Sequence, residues 1–203
     1  MNGKQAVWSR VEEFRLKYLA DKTSLLPVDV FTLTEIELKL DVIPFDDLFV
    51  KYGVDAALIQ DLSGIYVDKE AYIIWEQGPV WKQHRLRFSV AHELGHYVLH
   101  HDIAQNQKFE DFDQFFRWIR SSEGMKFNLE QTANEFAGRL LVPRNRLDEH
   151  LTQMIDRFES AMPDWRSSPD LQKSFCQRIN NQYGVNADVI RIRLEREELW
   201  IIN

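Results

Sequence analysis

The sequence predicts an α+β protein. Three observations carry that expectation: two β-rich runs flank a polar turn between residues 64 and 75, several longer segments repeat apolar residues at helical spacing, and the chain beyond Arg144 reads as helical. With 203 residues, 44% of them hydrophobic and 28% charged, the chain suits one domain with at most a small appendage. A core of that size forms without disulfides or a structural metal, so a bound metal would serve chemistry.

Taken in order, Val7, Val11, Phe14 and Tyr18 predict an opening amphipathic helix over residues 5–19. From Val30 to Leu40 two patterns compete. Ile36, Leu38 and Leu40 alternate like a strand, whereas Val30, Leu33 and Leu40 suit a helix, and the segment stays open. Asp46 and Asp47 read as helix starters with Gly53 as a stop. The runs 64–67 and 71–75, around Asp68-Lys69-Glu70, predict a β-hairpin. Its second run, Tyr72 to Trp75, reads either as a sheet edge open to an extended peptide or as an ordinary core strand.

Gly78-Pro79 breaks the chain before a helix over 81–101, striped by Leu86, Val90, Leu94, Tyr97 and Val98. Residues 102–127 read as a loop carrying a short helix around 112–119. A further helix starts near Asn128, with Gln131 completing a capping box, and stops before Pro143. Its buried stripe is Leu129, Ala133, Phe136, Ala137 and Leu140. The helical remainder is interrupted by Pro163, Pro169 and a turn over 182–186.

Cys176 is the only cysteine, which excludes an intrachain disulfide and thiolate metal cages. Residues 1–17 lack the apolar region of a signal peptide, and no apolar run reaches the roughly 20 residues of a membrane span. A soluble, cytoplasmic protein with no membrane partner is expected. The net charge of −7 works against non-specific binding to a phosphate backbone.

The central motif is His92-Glu93-Leu94-Gly95-His96 on the predicted helix. Residues four apart share a helix face, with Cβ atoms about 5–6 Å apart. Two imidazoles so placed both reach one ion at about 2.0–2.1 Å. Glu93 sits beside that ion without ligating it, placed to take a proton from bound water. Leu94 points the opposite way, into the core. A catalytic zinc site has three protein ligands and an open position. Glu130 is the candidate third ligand, with Glu135 and Glu123 in reserve. Asn134, one turn later on the same face, suits a bond to the free ring nitrogen of a ligand histidine. The small Ala133, Ala137 and Gly138 let the two helices approach closely. His100 shares the histidine face, but the metzincin spacing would require glycine at 99 and histidine at 102, where Leu99 and Asp102 stand. His100 is read as a structural or substrate-side residue, and Tyr97 as a core residue rather than an oxyanion stabiliser.

Residues 87–96, Glu130-Gln131-Thr132-Ala133-Asn134-Glu135-Phe136-Ala137 and Leu140-Leu141-Val142-Pro143 together resemble the ImmA/IrrE family of metallopeptidases. Gly64, the run 183–186 and Arg193-Leu194 fit the same family, and the similarity covers roughly residues 26–199. The resemblance implies a zincin-like fold with a small β-sheet packed beside the H-E-x-x-H helix. It implies His92, His96 and Glu130 as metal ligands and Glu93 as the catalytic glutamate. The expected organisation is a zinc-metallopeptidase-like domain over 1–145 and a helix-turn-helix-like C-terminal segment over 146–203, packed on the first. One Zn2+ is the expected cofactor, although another divalent ion is possible. The long segment between His96 and Glu130 departs from the family pattern and could form a lid.

The resemblance further implies cleavage or antagonism of a helix-turn-helix repressor, in mobile-element induction or a stress response. The partner is then a protein substrate, a repressor or a toxin–antitoxin component. A second reading is a catalytically weak regulatory or antitoxin-type binding protein that keeps the metal site. A third is direct DNA binding through the C-terminal helices. It is disfavoured because Lys173, Arg178, Arg191, Arg193 and Arg196 are nearly offset by Asp170, Asp188, Glu195, Glu197 and Glu198.

Overall fold

The computed structural model describes residues 3–19, 25–75, 77–106, 109, 111–120, 125–158 and 165–200. Helix α1 (Gly3–Leu19) opens the chain, and α2 (Val30–Thr32) follows after the 20–24 stretch. Asp29 caps α2 by accepting from the Phe31 and Thr32 amides at 3.2 and 3.0 Å. The helix continues as one π-helical turn, Leu33–Glu37. Ile36 is 68% exposed while Val30, Leu33 and Leu40 are buried, so the helical pattern governs this segment.

Three strands make one sheet in the order β1 (Asp41–Phe45), β3 (Gly64–Asp68), β2 (Ala56–Leu58). β1 runs parallel to β3, from Asp41 opposite Gly64 to Phe45 opposite Asp68. β2 runs antiparallel, with Leu58 opposite Ile65. Pro44 is tolerated because β1 is an edge. The fold is therefore α+β, rich in helix, as expected.

The hairpin over 64–75 is not formed. Its first run is β3, but the second enters helix α4 (Lys69–Ile73). The cause is Asp68, a buried carboxylate. One of its oxygens accepts from the Ala71 amide at 3.0 Å and starts α4, and the other accepts from the Phe49 amide at 2.9 Å in α3 (Leu48–Tyr52). Two caps on one acid override the β-propensity of Tyr72 to Trp75. That run is thus neither a sheet edge nor a core strand; the antiparallel partner of β3 is β2.

Helix α5 (Val80–Leu99) lies along β2 and packs most extensively on α8 (Met125–Leu141). α8 begins three residues before Asn128, so the expected capping box does not open it. The 102–127 segment holds α6 (His101–Asn106) and α7 (Phe112–Arg120). The remainder comprises α9 (Arg144–Phe158), a 3-10 turn at Trp165–Ser167, α10 (Pro169–Tyr183) and α11 (Ala187–Arg196). One core cluster takes Val11 and Phe14 from α1, Ile65 and Val67 from β3, Leu86, Val90 and Leu94 from α5, Phe136 and Leu140 from α8, and Ile179 and Leu194 from the last two helices. Among the described residues no helix is long and apolar enough to cross a membrane.

The turn between α10 and α11 is fastened to α5. Gly184 ends α10 at φ +63°, and a Cβ there would lie 2.6 Å from Arg87 Nε. That nitrogen donates to the Gly184 carbonyl at 3.1 Å, while the Arg87 Nη2 donates to the Val28 carbonyl. The arginine just ahead of the histidine pair thus ties three segments together.

Candidate metal centre

The apolar stripe of α5 turns Leu86, Val90 and Leu94 into the core and leaves His92 and His96 on the face toward α8. Their close approach depends on Gly95, where a Cβ would come within 3.0 Å of the Ala133 Cα and carbonyl oxygen. No side chain larger than hydrogen fits without spreading α5 and α8.

Across that contact, the His92 and His96 Nε2 atoms lie 3.0 Å apart, and the Glu130 carboxylate oxygens stand 3.1 Å from the first and 3.5 Å from the second. Among the described residues this is the group of three whose ligand atoms all fall within 4.8 Å of one another. The donor set fits a divalent ion. Tetrahedral ligands at about 2.0–2.1 Å from a metal are themselves roughly 3.3 Å apart. Two imidazole nitrogens facing each other at 3.0 Å repel unless a cation or a proton lies between them.

The other ring nitrogens are already engaged. His92 Nδ1 lies 3.0 Å from Asn134 Oδ1 and, as the donor, leaves the Nε2 lone pair for a metal. His96 Nδ1 lies 3.0 Å from His100 Nδ1, and His100 Nε2 lies 3.0 Å from Thr132 Oγ1. The Thr132 hydroxyl in turn is 2.9 Å from the Leu129 carbonyl. A consistent proton order runs outward, with His96 donating to His100 and His100 to Thr132. Burial and the neighbouring ring of His96 push His100 down to about 4, in keeping with a neutral ring.

Glu130 is half-buried, and burial alone would raise its pKa. The hydrogen bonds and positive charge of His92 and His96 outweigh this and hold it well below the usual carboxylate range. On His92 burial opposes a proton, but the bond to Glu130 and the charges of Glu93 and Glu130 raise its pKa above the ordinary value. Each group thus favours the charged form of the other, a carboxylate beside an imidazolium whose proton a metal would replace.

Glu93 stands beside the three candidate ligands, and its hydrogen bond goes elsewhere. Its carboxylate accepts from the Leu58 amide at 2.7 Å, on the outer side of β2. That backbone anchor and the His100–Thr132 pair escaped the sequence reading. The first is a main-chain group with no residue signature. The second was signalled only by His100 lying four residues past His96.

The expected residues are sorted by the fold. His92, His96, Glu130, Glu93 and Asn134 converge. Glu135 does not join them: it faces the opposite side, accepting from Trp8 Nε1 at 2.5 Å and Arg193 Nη1 at 3.0 Å. Glu123 lies outside the described residues. The Tyr97 ring packs on His101, 5.7 Å away, and Tyr97 lines a different depression with Tyr18 and Phe14.

A search against protein-family models matches residues 82–195 to Peptidase_M78, the IrrE N-terminal-like domain. The matched span holds α5, α8 and all three candidate ligands. A search among curated proteins found no match.

Proposed function

Since this chain belongs to the IrrE N-terminal-like family of metallopeptidase-type domains, we propose that it is a zinc-dependent peptidase acting in the cytoplasm on a protein substrate. The observation that carries the proposal is the convergence of two imidazole nitrogens and one carboxylate on a point beside a second carboxylate, that of Glu93. His92, His96 and Glu130 would hold the ion. When bound, a zinc ion polarises a carbonyl and brings the pKa of water toward about 7.

The rest is done by the chain. Glu93, fixed by the Leu58 amide, accepts a proton from the attacking water and returns it to the leaving amine. Asn134 and His100 orient the two rings so that both Nε2 lone pairs face the same point. The flank of β2 beside Glu93 is where an extended chain would meet these groups.

The family resemblance makes a helix-turn-helix repressor the proposed substrate. Direct binding of nucleic acid is not favoured by the C-terminal helices. Arg193 is buried in an ion network, and Arg191 is paired with Asp188 at 3.5 Å and Glu195 at 2.8 Å. The test is incubation of the zinc-loaded protein with helix-turn-helix repressor proteins, followed by mass spectrometry of the products. Cleavage by the wild type and not by Glu93→Gln supports the peptidase reading. Cleavage that survives Glu93→Gln with metal in place overturns it. Tight binding without cleavage points instead to a regulatory binding protein.

A further inference from the structure

Resting on the peptidase reading, we infer that the hollow enclosed by α5, α7 and α8 is a specificity pocket for one large apolar side chain, aromatic or leucine-sized, of the polypeptide substrate. The hollow has a volume of about 60 Å3 and opens to solvent at its mouth. Its lining joins His92, Glu93, His96 and Glu130 to the apolar Ile103, Phe109, Phe115, Trp118 and Leu129. A residue adjoining the bond placed at Glu93 therefore has an apolar recess to enter.

The aromatic wall is built in advance. Phe109 packs on Phe115 at 5.3 Å between ring centroids and on Trp118 at 5.4 Å. Phe115 is itself buried against Leu48 and Ala57, which anchors α7 to the sheet side of the molecule. Asp111 accepts from the Gln114 amide at 2.7 Å to start α7, and the Tyr52 hydroxyl donates to Asp113 at 3.0 Å. Rings already held in place lose little freedom when a ligand arrives, which favours tight selection.

The chemistry of the wall sets the class of guest. Among the described lining residues, polar groups belong to the metal centre, His100 and Gln60. An aspartate or lysine side chain pushed against the five apolar residues would shed its water without a partner. A phenylalanine or leucine would bury apolar surface instead. The segment that supplies Ile103, Phe109, Phe115 and Trp118 is the stretch between His96 and Glu130, so this insertion becomes a reader of substrate side chains.

The test titrates zinc-loaded protein with acetohydroxamate and with peptidyl hydroxamates carrying alanine, leucine, phenylalanine, aspartate or lysine beside the chelating group. Calorimetry reads the affinities. The phenylalanine and leucine compounds should bind roughly ten- to hundred-fold more tightly than the alanine one, with aspartate and lysine no tighter than alanine. Trp118→Ala should lower the phenylalanine-to-alanine ratio. Ile103→Phe, which fills the recess, should lower it too and decides the matter if the first variant does not fold. A flat series, a preference for charge, or an unchanged ratio in Ile103→Phe overturns the pocket and leaves the metal centre standing. Failure of acetohydroxamate itself to bind overturns the metal reading, and the pocket with it.

Discussion

The Glu93 carboxylate accepts a 2.7 Å hydrogen bond from the Leu58 amide, so the group assigned to move the proton is aimed by the strand beside it. A glutamine at 93 keeps an oxygen for that amide and loses only the basic site. Glu93→Gln is expected to retain full metal content and melting temperature while peptide hydrolysis falls about 10²–10⁴-fold. Elemental analysis beside single-turnover cleavage checks both halves. Loss of metal in this variant would mean that Glu93 is a ligand.

Metal loading should follow pH with a definite sign. His92 in the metal-free protein keeps its proton above the ordinary histidine value, because Glu130 and Glu93 outweigh the opposing effect of burial. Glu130 stays ionised throughout, its neighbours outweighing burial in the other direction. A metal must displace the His92 proton, so affinity is expected to weaken as pH falls, starting above about 6.5 and continuing below it. Competition with a chromophoric chelator across about pH 8 to 5 reads this directly. A flat profile would count against imidazole ligation.

Gly95→Ala places a methyl group 3.0 Å from the Ala133 backbone and 3.2 Å from Phe136 Cβ. Backbone cannot step aside, so α5 and α8 must separate and the ligands with them. The expected cost is about 1–3 kcal/mol of stability together with weaker metal binding. Thermal melts with and without zinc would show the two losses occurring together.

Glu197 is fully buried and accepts from Arg139, Arg193 and Arg144, the last at 3.2 Å. Removing the acid in Glu197→Ala takes one partner from each of the buried Arg139 and Arg193, which keep Glu12 and Glu135. A loss of about 3–5 kcal/mol is expected in urea denaturation. A loss below about 1 kcal/mol would indicate that the cluster behaves as an exposed one.

The Cys176 thiol is buried in α10, and that burial pushes its pKa up to about 12. At neutral pH the thiolate is scarce and sheltered. Iodoacetamide should leave the folded protein unmodified and label it fully in denaturant, as followed by intact mass.

The parts of the molecule visible in the sequence were those in which chemistry and amphipathic phase coincide. Leu94 faces inward between two histidines that face α8, and Glu130 and Asn134 share a face one turn apart; both relationships hold in three dimensions. The sheet was harder to read. β1 carries Pro44 and shows no buried alternation, and β2 is three residues long with every one buried. Neither offers the period of two that marks a half-buried strand. Tyr72 to Trp75 misled because β-propensity is a local signal, whereas the caps from Asp68 join segments some twenty residues apart. Glu135 was a plausible ligand by composition, and only the packing of α1 and α11 on the far side of α8 shows why it points away.

That far side has its own consequence. Trp8 in the first helix and Arg193 in the last both grip Glu135, and Lys4 donates to the Arg196 carbonyl at 2.7 Å. Five residues along the same rod stands Glu130. Opening and closing helices thus act as a brace on the beam that carries the proposed third ligand, and trimming either one to make a minimal fragment is expected to weaken metal binding from behind.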